Sequence, residues 1–393
     1  MERLTQFGYQ SNIVKIKLFM IENLDSPEMK TLGLVLVGGK HHILHLIPVT
    51  VGLQKFKNFQ IFIFVMTDLE KQECKKVLDS LGVENVQVKV LKSNRIAKLF
   101  STKLAFLLSH IKIWKSLDAI LVVERTSTIL RYFCKNLPPL FHIPHGAGDR
   151  AKSYDSRIRH FDYVLVAGQK DKNRMVSLGL VSSENCFVTG YIKPSAVEKL
   201  NRPPFQRFKN TSPLVLYNPH FSKDLSSWTE FGLPLLDAFS KNKDFNFIFA
   251  PHVRLSQTFR PDELEALRKF EIYDHIHIDL GSRLSIDMSY TRAADIYVGD
   301  VSSQVYEFLS RPKPCAFIGK SNVKWQGNPD YAHWTYGPVC HSVEDIMVAL
   351  LRAESDLDLF REVQIEGCLQ AKGHPDWNPI ERASDVIGKI LDV

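Results

Sequence analysis

Asp300, Ser302, Ser303 and Glu307 are the residues of this chain whose types and spacing point most directly to chemistry. They lie in the run Ala293 to Leu309, which reads as a strand at 296–298, a turn at Gly299-Asp300, and a helix beginning near Ser302-Ser303. A helix start carries unpaired N–H groups and the positive end of the macrodipole, so it can seat a phosphate. The two serine hydroxyls add donors. Glu307 falls one turn after Ser303 and is placed to accept from ribose hydroxyls. The same residues also fit an ordinary capped helix, because Asp and Ser are preferred N-caps anywhere.

Phe141-His-Ile-Pro-His-Gly-Ala-Gly-Asp-Arg150 is the second such segment. An apolar stretch delivers His145 into a loop without bulky neighbours. An imidazole there can act as general base on a substrate hydroxyl, since its ordinary pKa lies near ~6.5. Asp149 is placed to hold that imidazole or a polar acceptor, and Arg150 to meet a phosphate. A structural histidine capping a turn is the competing reading. In Ala250-Pro-His-Val-Arg-Leu255, His252 and Arg254 follow an apolar run; in an extended segment they point the same way and form a pyrophosphate clamp. Gly38-Gly-Lys-His-His42 permits a sharp turn, with acceptor binding at Gly38 and Gly39 beside plain turn chemistry.

Weaker candidates follow. Asn218 or His220 at the end of Tyr217-Asn-Pro-His220 could face a cleft, but Tyr-Asn-Pro is also plain turn sequence. Asp279 and Asp287 read as a solvated loop, with a base or ribose contact as the alternative, and the aromatic-rich stretch 320–334 as an acceptor-facing or membrane-facing flap. The one Asp-x-Asp, Asp356-Leu-Asp358, sits in a helix-like polar stretch. With no metal site and no cofactor expected, Arg side chains, helix N-termini and hydroxyls are left to bear diphosphate charge.

These segments need strands to deliver them. Apolar runs at 34–37, 61–65, 88–91, 120–123, 163–166 and 187–189 alternate with helical spacing, as at 70–81 and 101–115. The proline-rich stretch 201–213 interrupts that rhythm, which restarts at 214–217, 245–249, 276–278, 296–298 and 315–318. The expected architecture is α/β, of GT-B type: two Rossmann-like doubly wound domains facing a central cleft. An acceptor-side domain covers 1–200, a linker 201–213, a nucleotide-donor domain 214–375, and a helix within 376–393 packs back on either half.

The 393 residues are 45% hydrophobic and 24% charged, with a net charge of +7, as expected for a globular protein with anionic partners. Lys and Arg are scattered without a nucleic-acid module, so no nucleic-acid partner is expected. No apolar run reaches membrane-spanning length, Met1 to Gln6 lacks a signal pattern, and the six cysteines are widely spaced. These features predict a cytoplasmic protein with reduced, mostly buried thiols, visiting the inner face of an anionic membrane as a peripheral enzyme.

With His145-Gly146, Ala250-Pro-His252 and Asp300-Val-Ser-Ser303 in that order, the region from His145 to Pro314 resembles the CDP-glycerol glycerophosphotransferase family of teichoic-acid and related polymer synthesis. The resemblance implies that His145 deprotonates an acceptor hydroxyl, while His252, Arg254, Ser302 and Ser303 hold the pyrophosphate of a CDP- or UDP-linked donor. The acceptor would be a surface polymer or a lipid-linked unit. Two departures stand out: the loop after His145 reads Gly-Ala-Gly-Asp-Arg rather than Gly-Thr-Pro, and Val301 replaces an aromatic residue. Nucleotide-sugar glycosyltransferases share the skeleton. So does the non-hydrolysing UDP-N-acetylglucosamine 2-epimerase, whose Ser-Gly-Gly turn and following Glu look similar to Ser302 to Glu307, although its His-x-Glu-Ala-Gly segment is missing. An epimerase and a non-catalytic nucleotide-sugar-binding subunit are therefore the alternatives.

Overall fold

The computed structural model describes residues 29–92, 101–203, 205–320 and 323–393. The N-terminal hexapeptide, Pro204 of the interdomain stretch, and Ser321 and Asn322 of the aromatic loop lie outside the described residues. Strands β1 (Lys30–Val35), β2 (Phe59–Val65), β3 (Val86–Val90), β4 (Ala119–Val122), β5 (Leu140–His142), β6 (Tyr163–Val166) and β7 (Cys186–Val188) form one parallel sheet in the order β3-β2-β1-β4-β5-β6-β7. A second parallel sheet contains β8 (Leu214–Asn218), β9 (Asn246–Phe249), β10 (Ile276–Ile278), β11 (Ile296–Gly299), β12 (Cys315–Ile318) and β13 (Val339–Cys340), in the order β10-β9-β8-β11-β12-β13.

Both sheets are buried on both faces, which is why their strands read as unbroken apolar runs. Side chains alternate between two cores: Leu34, Ile63 and Leu121 pack on one side of the first sheet, and Val35, Phe64 and Val122 on the other. In the second sheet Tyr217, Phe249 and Val298 face one core, and Leu216, Ile248 and Tyr297 the opposite one.

The strand order reverses direction at β1/β4 and again at β8/β11. Ligands of open α/β sheets bind in the crevice beyond the strand ends at such switch points. That places the segments after β1, β4, β5, β8, β9 and β11 around the functional region.

Helix boundaries follow local chemistry. Asp68–Ser80 starts on a capping box, with Thr67 Oγ1 accepting from Glu70 N at 3.2 Å and Glu70 Oε2 accepting from Thr67 N at 3.0 Å. The single helix expected over 101–115 is two, Thr102–Ser109 and Ile111–Trp114. They break at His110, whose Nδ1 bonds to Phe106 O at 2.7 Å. The last helix, Pro379–Leu391, packs on the first-sheet half. Ile380, Ala383 and Ile387 are fully buried, and a Cβ on Gly52 would stand 2.4 Å from Ser384 Oγ. The two isoleucines contribute roughly 1.5–3 kcal/mol each. Among the described residues, no helix is long and apolar enough to cross a membrane. The six cysteines are free, five of them buried.

Candidate functional site

On the first-sheet side, the turn after β1 carries Gly38, Gly39, His41 and His42. Gly38 is required by close approach, because a Cβ there would fall 1.8 Å from the His42 ring and 2.9 Å from Glu124 Oε1. Gly39 has φ +96°, a left-handed backbone suited to glycine. His145, beyond β5, is exposed. Its ring centroid lies 4.7 Å from His42 and 6.3 Å from both His41 and His45. Glu124, beyond β4, accepts from Lys103 Nζ at 2.7 Å and stands 3.9 Å from His42 Nε2. His42 is 1% exposed and neither of its ring nitrogens has a hydrogen-bond partner, an unusual state for a buried polar group.

The second sheet supplies the opposing wall. Arg150 reaches across to His220, with Nη1 2.6 Å from Nε2. Arg150 and Arg254 both lie over the Phe221 ring, at 5.8 Å and 5.2 Å. His252 does not continue as an extended strand toward Arg254. It caps the short helix Val253–Ser256, its Nδ1 accepting from Arg254 N at 3.1 Å. The walls meet where Gly146 (φ +82°) and Gly148 pass Ser303; Cβ atoms there would lie 3.0 Å from Ser303 Oγ and 3.1 Å from Ser303 Cβ. That contact explains the glycines of the Gly-Ala-Gly loop.

Several residues expected to touch ligand are engaged elsewhere. Asp149 is 2% exposed and carries no hydrogen bond to His145. Its carboxylate accepts from Tyr306 OH (2.8 Å), from His333 Nδ1 (2.7 Å) and from Lys170. Asp300 is 1% exposed and accepts from Ser227 N, Ser227 Oγ, His220 N and Val301 N, all within 2.7–2.9 Å. It therefore anchors the β8 and β11 loops rather than facing a donor. Glu307 is buried and accepts from Lys193 Nζ at 2.7 Å and Tyr191 OH at 2.9 Å. Ser302 is buried, donating to Asn218 Oδ1 at 3.0 Å, which leaves Ser303 as the hydroxyl at the opening. The helix after them is only Gln304–Phe308, stopped before Pro312 and Pro314, so its macrodipole is small.

Other candidates also turn inward. Asp279 accepts from Tyr290 OH at 2.6 Å and Asp287 pairs with Arg202, both buried instead of solvated. In the aromatic loop, Trp334 is 2% exposed and donates to Asp300 O at 2.9 Å, so this part is no external flap. His41, His42, His45, Glu124, Lys103 and His333 were not singled out as site residues in the sequence, although His41-His42 follow the glycine pair and Glu124 directly follows an apolar run. Among the described residues, no cluster of three or more His, Cys, Asp or Glu side chains is arranged to hold a metal ion.

The crevice is strongly cationic, and its histidines register it. Enclosure by protein lowers the pKa of His145 to about 4, with Glu124 opposing and Arg125, Arg254 and Arg150 assisting. Burial, then His145 and Arg254, lowers His41 to about 4; burial, then Arg254, lowers His252 to about 3. These rings are neutral at pH 7, while in the unfolded chain they take protons below about 6.5. The unfolded state thus binds more protons between pH 6.5 and 4, and stability falls as pH drops through that window. Thermal melting should accordingly show Tm declining steadily from pH 7 to pH 5, and His41→Asn should flatten that decline.

No family model matches the sequence, and no curated protein matches it. Solved structures do. Over 100% of this chain and 98% of the other, the wall teichoic acid polymerase TagF is similar with a TM-score of 0.62 at 14% identity. The fold is GT-B. The UDP-GlcNAc 2-epimerase of Neisseria meningitidis bound to UDP-GlcNAc gives a TM-score of 0.60 at 16% identity, covering 92% of this chain and 99% of that one. The S. aureus MnaA–UDP co-structure gives 0.61 at 15% identity, covering 93% and 97%.

Proposed function

We propose that this chain is an enzyme that binds a nucleotide-activated donor in the crevice between its sheets and transfers a polyol-phosphate or glycosyl unit to a hydroxyl acceptor. The observation that carries the proposal is His145, a neutral imidazole open to solvent at one edge, with Arg150 on its own loop and a facing wall that presents Arg254 and Ser303. In this reading His145 takes the proton of the acceptor hydroxyl, whose oxygen attacks the donor. Attack at the outer phosphorus releases a nucleoside monophosphate; attack at an anomeric carbon releases the diphosphate. Arg254, with its paired guanidinium donors, holds the leaving charge beside His252. A surface polymer or lipid-linked unit is the proposed acceptor. The net charge of +7 suits approach to an anionic membrane.

Epimerisation of a nucleotide sugar is the second reading, favoured by the likeness to epimerase structures and by Glu124, a carboxylate placed beside the histidines. A thermal-shift panel of CDP-glycerol, CDP-ribitol, CDP, UDP and UDP-sugars tests donor binding. Stabilisation by cytidine nucleotides alone supports polyol-phosphate transfer. Stabilisation by UDP-sugars sends the question to a second incubation, in which conversion without acceptor marks an epimerase. No shift with any nucleotide overturns the proposal. Arg254→Ala should cost about 1.5–3 kcal/mol of nucleotide binding, roughly tenfold to a hundredfold in Kd by titration calorimetry.

A further inference from the structure

A cavity of about 390 Å³ lies away from the histidine-lined crevice, between the helix Leu357–Lys372, the segment 325–336 and the start of the helix Gln169–Ser177. That volume falls within the range of small-molecule sites. Three aromatic side chains line it: Trp325, Tyr331 and Tyr336. Trp325 and Tyr331 are held edge-on against buried Trp334, with ring centroids 6.0 Å and 4.7 Å away. Tyr336 lies against the helix at Gly367, where a Cβ would stand 1.9 Å from its hydroxyl. The faces are therefore positioned by packing before any ligand arrives.

The polar lining differs in kind from that of the crevice. Thr335, Asn328, Glu366 and Gln370 offer a hydroxyl, two amides and a carboxylate, and Glu366 and Gln370 are already joined at 2.9 Å. The sole cation among the described lining residues is Lys170, whose ammonium is occupied by Asp149 and by Ala147 O at 3.0 Å. A phosphate would find no available positive charge and would meet Glu366. A neutral ring bearing hydroxyls would find apolar faces to stack on and both donors and acceptors at its edge.

We propose that this cavity is a binding site for an uncharged carbohydrate ring, separate from the crevice and independent of the reading given to it. The ring lies on Trp325 and Tyr331, and its hydroxyls bond to Glu366, Gln370 and Thr335.

Tryptophan fluorescence and saturation-transfer NMR test this on the full chain, with N-acetylglucosamine and maltose as saccharide probes and uridine and inorganic phosphate as contrasts. At least one saccharide should bind, and Trp325→Ala should weaken it about tenfold or more. Glu366→Ala, at an exposed helix position, should do the same without threatening the fold. Arg254→Ala, on the crevice wall, should leave saccharide affinity unchanged. Binding of neither saccharide overturns the proposal, as does saccharide binding indifferent to both Trp325→Ala and Glu366→Ala or lost in Arg254→Ala. Uridine or phosphate binding that depends on Trp325 while the saccharides fail also overturns it.

Discussion

Alanine at His145 should lower kcat by about 10²–10⁴-fold, the range for losing a general base, while nucleotide affinity holds within about twofold. The expectation rests on where the ring sits. Its edge is open to solvent and it carries no hydrogen bond to Asp149, while the protein packed about the rest of the ring and the guanidinium charges around it lower its pKa. A proton acceptor with a pKa near 4 is a weak base in the empty crevice. A bound diphosphate brings negative charge to the same wall and offsets the field of Arg150 and Arg254, raising the imidazole pKa toward its ordinary value. Because the base acts deprotonated, activity falls as pH drops through that pKa. The acid limb of kcat, which reports the donor-bound enzyme, should therefore lie at higher pH than the limb of kcat/KM, which reports the free enzyme. Initial rates on folded enzyme across about pH 4–8, a range that reaches the free-enzyme limb, test this. Full activity in His145→Ala, or coincident limbs, would remove the base assignment.

The fold was legible because parallel strands buried on both faces leave long apolar runs, as in β2 and β8. β5 leaves no strand-length apolar run to read, because it has only three residues and includes His142, which stacks on Phe161 at 4.4 Å. β13, two residues long, leaves almost no pattern. His145 could be found because its surroundings are local: an apolar stretch before it and glycines after it. The uses of Asp149 and Glu307 could not. Asp149 meets His333 184 positions away, and Glu307 meets Lys193 114 positions away. A carboxylate near a motif reads the same whether it faces a ligand or closes a contact between two halves of the chain; only the tertiary partner distinguishes them.

That distinction gives Asp149 its own expected result. Its side chain is fully buried, and burial by itself would raise the pKa. Lys170 and His333 reverse that and hold the carboxyl well below the usual carboxylate range. It joins the loop that ends at Arg150 to Tyr306 and His333 from the other half, and His333 Nε2 in turn lies 3.1 Å from Asp300 O. Asp149→Asn keeps the shape and removes the charge, leaving Lys170 without its counter-ion in a mostly enclosed setting. Breaking a buried pair in this way costs about 3–5 kcal/mol, which should appear as a lower urea midpoint. The double variant Asp149→Asn, Lys170→Met should lose clearly less than the sum of the single losses, because the second change removes the stranded charge. Nucleotide affinity should fall with stability in Asp149→Asn, since the Gly146–Gly148 backbone that meets Ser303 is tethered at this point. Additive losses would mean that the pair does not couple. An unchanged midpoint would mean that Tyr306 and His333 hold the neutral amide as well as the carboxylate, and that the loop derives its position from the glycine contacts alone.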